Sequence, residues 1–187
     1  MNIFYIDEDP KEAAEMLCDK HVVKMILESA QMLCTAHRVL DGDTHADLIG
    51  LYKTTHKNHP CSVWTRSSIA NYMWLYSHML ALMTEYTYRY NKHHATERLI
   101  ELLRKPPIVL VETEYKKFAP PPQCMPDHCK NDDTVKAYRK YYISEKADIA
   151  KWKSRIIPYW FTTVRPDKLK DSFREDRMAF WNETKTP

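Results

Sequence analysis

Only two glycines occur among the 187 residues. Glycine enters left-handed turns without steric cost, so this scarcity leaves little room for a β-meander and excludes a Gly-rich phosphate-binding loop. No apolar run approaches the roughly 18 residues of a membrane-spanning helix. There is no internal repeat, no low-complexity segment and no recognisable signal peptide. The five cysteines, at positions 18, 34, 61, 124 and 129, are odd in number and scattered. That pattern fits a reducing interior and not a disulfide framework. Together these absences predict a soluble, cytoplasmic, monomeric protein that does not enter a membrane.

What is present is helical in character. Hydrophobic residues make up 44%, enough for a core, and Tyr (12), Met (9) and His (9) are abundant. The formal net charge of +3 tolerates a polyanionic partner without requiring one. The expectation is an all-α fold. It comprises a single compact helical domain over residues 1–160, a long Pro-rich crossing loop at 106–133, and a charged C-terminal arm over 161–187.

Along the chain, MNIFYI (1–6) reads as a short strand or an extended arm tucked into the core. Asp9-Pro10-Lys11-Glu12 starts a helix to about Leu17, with an Asp cap and Pro at the first helical position. Asp19 is expected to cap the next helix, which runs to Leu40. Residues 41–58 read as loop with at most one helical turn. His59-Pro60 punctuates the chain, and residues 61–91 read as one long helix carrying Asn71, His78 and Glu85 at seven-residue steps. Residues 95–105 form a further amphipathic helix. In the crossing, Cys124, Asp127, His128 and Cys129 lack the second Cys/His pair of a standard zinc site, so no metal is expected. A last helix is predicted over 134–157, where bases alternate with aromatics, a pattern that suits phosphate contact and base stacking or an ordinary solvated face.

The helix over 18–40 is unusual. Its polar residues His21, Lys24, Glu28 and Gln31 stack on one face in steps of three and four, in an otherwise apolar background. Such a seam is either a buried polar network that locks helix packing or the lining of a cleft. An imidazole, an amine and a carboxylate in a cleft are the parts of acid–base or amine chemistry.

Three pieces of the chain, in order, resemble the phage endonuclease V type of pyrimidine-dimer DNA glycosylase. The first is Asp19-Lys20-His21 with Glu28 seven residues past the His. The second is His59-Pro60, then Trp64 and a long helix ending near Glu85, Arg89, His93 and His94. The third is Arg139-Lys140-Tyr141-Tyr142. The resemblance implies a compact helical enzyme that breaks the N-glycosidic bond with an amine, forms an imine at the sugar C1′ and then eliminates the 3′ phosphate. It implies Glu28 as the catalytic carboxylate, with His21 beside it at the DNA. The family's nucleophile is the α-amine of a small residue exposed by Met removal. Here Asn2 is bulky and leaves Met1 in place, so the amine is that of Met1 or of Lys24, the latter if burial activates it.

The expectation is therefore a base-excision glycosylase, with possible AP lyase activity, acting on a damaged or modified pyrimidine in double-stranded DNA without a cofactor. Met1, His21, Lys24 and Glu28 are its candidate catalytic residues. Asn2, Gln31, His59, Arg66, Asn71, Arg139, Tyr142 and Lys146 are candidate DNA contacts. A phage-type base-modifying transferase and a non-catalytic helical binding module are the rival readings.

Overall fold

Two helices of 22 residues each, α2 (Asp19–Leu40) and α5 (Ile69–Tyr90), pack against each other and carry the rest of the fold. The computed structural model describes residues 1–112 and 117–165. Helix α1 (Pro10–Met16) lies on α5 and starts where Asp9 accepts the Lys11 and Glu12 amides, with Pro10 at the first helical position. Helices α3 (Asp43–Leu48) and α4 (Pro60–Thr65) pack on α2. A 3₁₀ turn (Ala95–Leu99) leads into α6 (Ile100–Leu103), followed by α7 (Ile108–Glu112), α8 (Thr134–Tyr141) and α9 (Tyr159–Thr162). Among the described residues there is no strand, and no helix is long and apolar enough to cross a membrane. The protein is all-α, as its composition predicts. Both glycines flank α3 at positive φ, 94° for Gly42 and 73° for Gly50, the conformation that favours this residue.

Several boundaries differ from expectation. Cys18, not Asp19, is the N-cap of α2; the Asp19 carboxylate instead accepts from Arg89 Nη1 at 2.8 Å and from the Lys153 amide. The predicted helix over 61–91 is two helices. Between them Ser68 caps α5 by accepting the Asn71 amide, and Asn71 Nδ2 donates to the Trp64 carbonyl, which also accepts from the Ser67 amide. Helix α8 becomes a π turn at Tyr142–Lys146 and a 3₁₀ turn at Ala147–Ile149, then stops. Residues 151–153 are pulled out of helix because their backbone docks on Asp19, while Trp152 Nε1 donates to Met16 O. The helix expected over 95–105 is 3₁₀ in its first half. Helix α9 spans the expected domain boundary at 160, with Phe161 fully buried, and the arm beyond residue 165 lies outside the described residues.

The N-terminal arm is extended and buried, without strand partners. Ile3, Phe4, Tyr5 and Ile6 are each at most 5% exposed. Phe4 stacks on His21 at 4.1 Å, and Tyr5 lies against Trp74 and Phe118. Phe4 holds φ 55°, a left-handed conformation that costs a non-glycine residue on the order of 1 kcal/mol. The Pro-rich crossing covers this arm. Trp64 Nε1 donates to Ala119 O, the Ala119 amide donates to Asn71 Oδ1, and the Tyr138 hydroxyl shares its one proton between Pro122 O and Asn2 Oδ1.

A buried ion network ties α1, α2, α5 and the 151–155 segment together. Glu85 is 2% exposed and accepts from Arg89 Nε and from Arg155 Nε and Nη2, while Arg89 also reaches Asp19 and the Glu15 carbonyl. Removing one partner of such a set leaves a buried charge uncompensated. We expect Glu85→Gln to lower unfolding free energy by about 3–5 kcal/mol, read as the shift of the urea midpoint.

Two buried histidines set an acid limit. His78 is fully buried under Trp74, and neither ring nitrogen has a hydrogen-bond partner among the described residues. Burial lowers its pKa from 6.5 to about 3. Burial, with Lys146 and Lys24 nearby, lowers that of His21 to about 4. Below pH 6.5 the unfolded chain takes up protons that the folded chain refuses, so stability falls as pH falls from 6.5 toward 4. At pH 5 each histidine accounts for a loss of roughly 2 kcal/mol relative to neutrality. Thermal unfolding followed from pH 7 to 5 should show this loss, and His78→Leu should remove about half of it.

Candidate active site

The arm delivers the chain's α-amine to the carboxylate of Glu28. Met1 N lies 3.9 Å from Glu28 Oε2, and the Asn2 amide donates to the same oxygen at 3.2 Å. On the other side Lys24 Nζ lies 3.2 Å from Glu28 Oε1, one helical turn away on α2. The Met1 side chain is only 2% exposed, and Ser62 Oγ of α4 donates to its sulfur. Yet Met1 as a whole is only half-buried, so its solvent-facing part is the main chain that carries the amine.

Asn2 is the clamp behind this placement. Its Nδ2 donates to Cys124 O at 2.9 Å, and its Oδ1 accepts from the Ile3 amide and from the Tyr138 hydroxyl at 2.7 Å. A side chain so engaged holds the arm in place. Asn71, expected like Asn2 as a DNA contact, is 2% exposed and braces the α4–α5 break to the crossing. Tyr142, expected in the same role, is fully buried; its hydroxyl accepts from the Cys18 amide and pairs with His21 Nδ1 at 2.5 Å. Arg139 donates to Ile6 O, pairs with Asp7 at 3.1 Å and lies over Trp160, so it too secures the arm.

The polar seam of α2 thus splits in two. His21 is 7% exposed, neutral and locked between Phe4 and Tyr142, a prop for the arm and not an exposed group. Lys24, Glu28 and Gln31 lie on the accessible edge. Lys24 is 67% exposed, so the burial invoked for its activation is absent. The apolar residues beside this edge are not all buried: Val23 and Leu27 are exposed, as is Val63 of α4. Three-and-four spacing put these residues beside Lys24 and Glu28 in the sequence, but nothing in the pattern separated a buried from an open flank.

His59 caps α4, accepting the Cys61 amide on Nδ1 at 3.2 Å; burial and the α-amine hold its pKa below the ordinary 6.5. Beside it are two residues that sequence reasoning did not bring together. Cys61 and Cys124 stand Sγ to Sγ at 3.6 Å, although 63 positions apart. The hydrogen bond with Cys61, opposed by burial and helped by the α-amine, lowers the Cys124 thiol to about 7. Arg66 ends α4 half-buried, and its Nη1 is enclosed without a partner among the described residues. Lys146 lies with Nζ 4.7 Å from the Tyr141 ring.

Part of the motif set that resembles the glycosylase family is structural. Asp19 and Arg89 pair with each other, and His94 caps the 3₁₀ turn while His93 pairs with Glu97. No curated protein and no solved structure matches the chain. A family model described as pyrimidine dimer DNA glycosylase matches residues 1–98. The match takes in the arm, Lys24, Glu28, His59 and Cys61, and ends before Cys124 and Tyr138. It spans more than half of the chain, from the α-amine to the carboxylate it faces and on through α5, and the chain belongs to the pyrimidine dimer DNA glycosylase family.

Proposed function

We propose that the protein is a base-excising glycosylase of duplex DNA with lyase activity, that the α-amine of Met1 is its nucleophile and that Glu28 is its acid–base carboxylate. The observation that carries this reading is an α-amine 3.9 Å from a carboxylate only 13% exposed. Lys24 is the second amine beside Glu28, but its side chain is 67% exposed, so the core does not hold it in place as it holds Met1.

In this reaction the amine nitrogen bonds to the sugar C1′ as the C1′–N bond to the pyrimidine breaks, and the departing base takes a proton. Glu28 stabilises the positive charge that develops at the sugar. The sugar ring then opens at C1′, its oxygen taking up a proton, and the nitrogen loses its remaining proton to give the imine. The imine acidifies the neighbouring 2′ proton; Glu28 removes it, and the 3′ phosphate leaves. Binding falls to the accessible α2 edge. Lys20, Lys24, Gln31 and Lys146 supply polar contacts, with His59 and Arg66 at α4. The exposed Val23, Leu27 and Val63 supply apolar surface suited to a partly unstacked base step.

The test is borohydride trapping on a duplex bearing one abasic site, followed by peptide mass spectrometry. The adduct is expected on the Met1 peptide, and Lys24→Ala should leave it in place. Glu28→Gln should fold normally, because the glutamine oxygen can still accept the Asn2 amide and the pair with exposed Lys24 contributes at most about 1 kcal/mol, and it should reduce trapping by on the order of 10²–10⁴-fold. An adduct on Lys24 would reassign the nucleophile. Salt-dependent binding without any adduct would leave water-based excision or base transfer in its place.

A further inference from the structure

Three soft donors meet beside the arm. A nitrogen of His59 and the sulfurs of Cys61 and Cys124 all lie within 4.8 Å of one another. His59 and Cys61 flank Pro60 at the start of α4, and Cys124 comes from the crossing. The sulfur separation of 3.6 Å discriminates between two uses of such a pair. A disulfide requires about 2.05 Å between sulfurs. Two thiolates bound tetrahedrally to zinc at about 2.3 Å stand roughly 3.8 Å apart. The spacing excludes a formed disulfide; two thiols sharing a hydrogen bond stand this far apart, and it also matches the edge of a zinc tetrahedron, with a His59 nitrogen placed as a third donor.

We propose that His59, Cys61 and Cys124 bind one zinc ion, with the fourth position open to water. Both thiols lose their protons to solvent as two Zn–S bonds form, and His59 exchanges its long contact with the Cys61 amide for the ion. Two positive charges arrive and two protons leave, so the net charge beside the α-amine is unchanged and no redox step is involved. Two thiolates and an imidazole favour zinc over hard cations, which take oxygen donors.

The ion would serve as a tie. It joins α4, which carries the Ser62 contact to Met1, to the residue whose carbonyl holds the Asn2 side chain. The two grips on the arm would thereby be fixed relative to each other. A second group, His128, Cys129 and Glu145, is set apart from this one: its His and Glu pair at 2.9 Å and its thiol bonds Ser144. It provides an internal control. The proposal rests on thiol geometry and stands independently of the reaction assigned to the amine.

The experiment is metal analysis of the full chain after dialysis against chelator and reloading with zinc, with a parallel cobalt(II) sample. We expect one zinc per chain and, with cobalt, thiolate-to-metal charge-transfer absorption of two sulfurs. Cys61→Ser and Cys124→Ser should each weaken zinc binding at least tenfold, while Cys129→Ser should keep it. Circular dichroism of each variant separates loss of metal from loss of fold, and the wild-type cobalt spectrum stands even where a variant unfolds. A zinc-free wild type, zinc retained by the Cys61/Cys124 double variant but lost in Cys129→Ser, or a Cys61–Cys124 disulfide in place of metal would each overturn the proposal.

Discussion

A buried main chain that belongs to no helix or sheet must find its hydrogen bonds elsewhere, and residues 1–6 impose that demand on everything around them. The Asn2 amide is met by Glu28, the Ile3 amide by the Asn2 side chain, and the Ile6 carbonyl by Arg139. Ring stacking of Phe4 on His21 supplies the apolar half of the bargain. The same carboxylate that satisfies this backbone faces the α-amine, so fold and proposed chemistry share one side chain. That sharing explains why Glu28 is held at low exposure on a helix whose neighbouring edge is open.

Behind the arm, the Asp19–Arg89–Glu85–Arg155 network fixes the elements that form its walls. Arg89 is fully enclosed and reaches three segments at once: Glu85 on its own helix, Asp19 at the start of α2 and the Glu15 carbonyl in α1. Residues that resembled catalytic motifs in the sequence are thus spent on aligning α2 with α5. The alignment sets where Lys24 and Glu28 meet the incoming chain terminus.

The helical fold was legible because its signals are local: few glycines, the Asp9-Pro10 start, and apolar runs of helical length. The errors came where a distant partner overrode a local preference. Lys151 and Lys153 leave a helical pattern because Asp19, more than 130 positions away, binds their backbone. Half of the site was legible for the same reason. Lys24 and Glu28 are one turn apart on one helix, so spacing alone joined them. The placement of Asn2 beside Glu28, the pairing of Cys61 with Cys124 and the bracing of Asn71 depend on the crossing, which carries no periodic pattern to read.

The bulky second residue, which in the sequence stood out as a departure from the family, has a physical role in this fold. A small residue at position 2 could not make the three hydrogen bonds by which Asn2 grips Cys124, Tyr138 and the Ile3 amide. Met1 adds a second anchor, its side chain buried against Ser62. A chain terminus is ordinarily the least ordered part of a domain, and a nucleophile there must be immobilised before it can be aimed. Two anchors flanking the first peptide bond restrict the amine's positions relative to Glu28 in advance of substrate. For the attack proposed for that amine, restriction of this kind lowers the entropic barrier without any new contact in the transition state. On that proposal, Met1 offers an amine that the core itself holds in place.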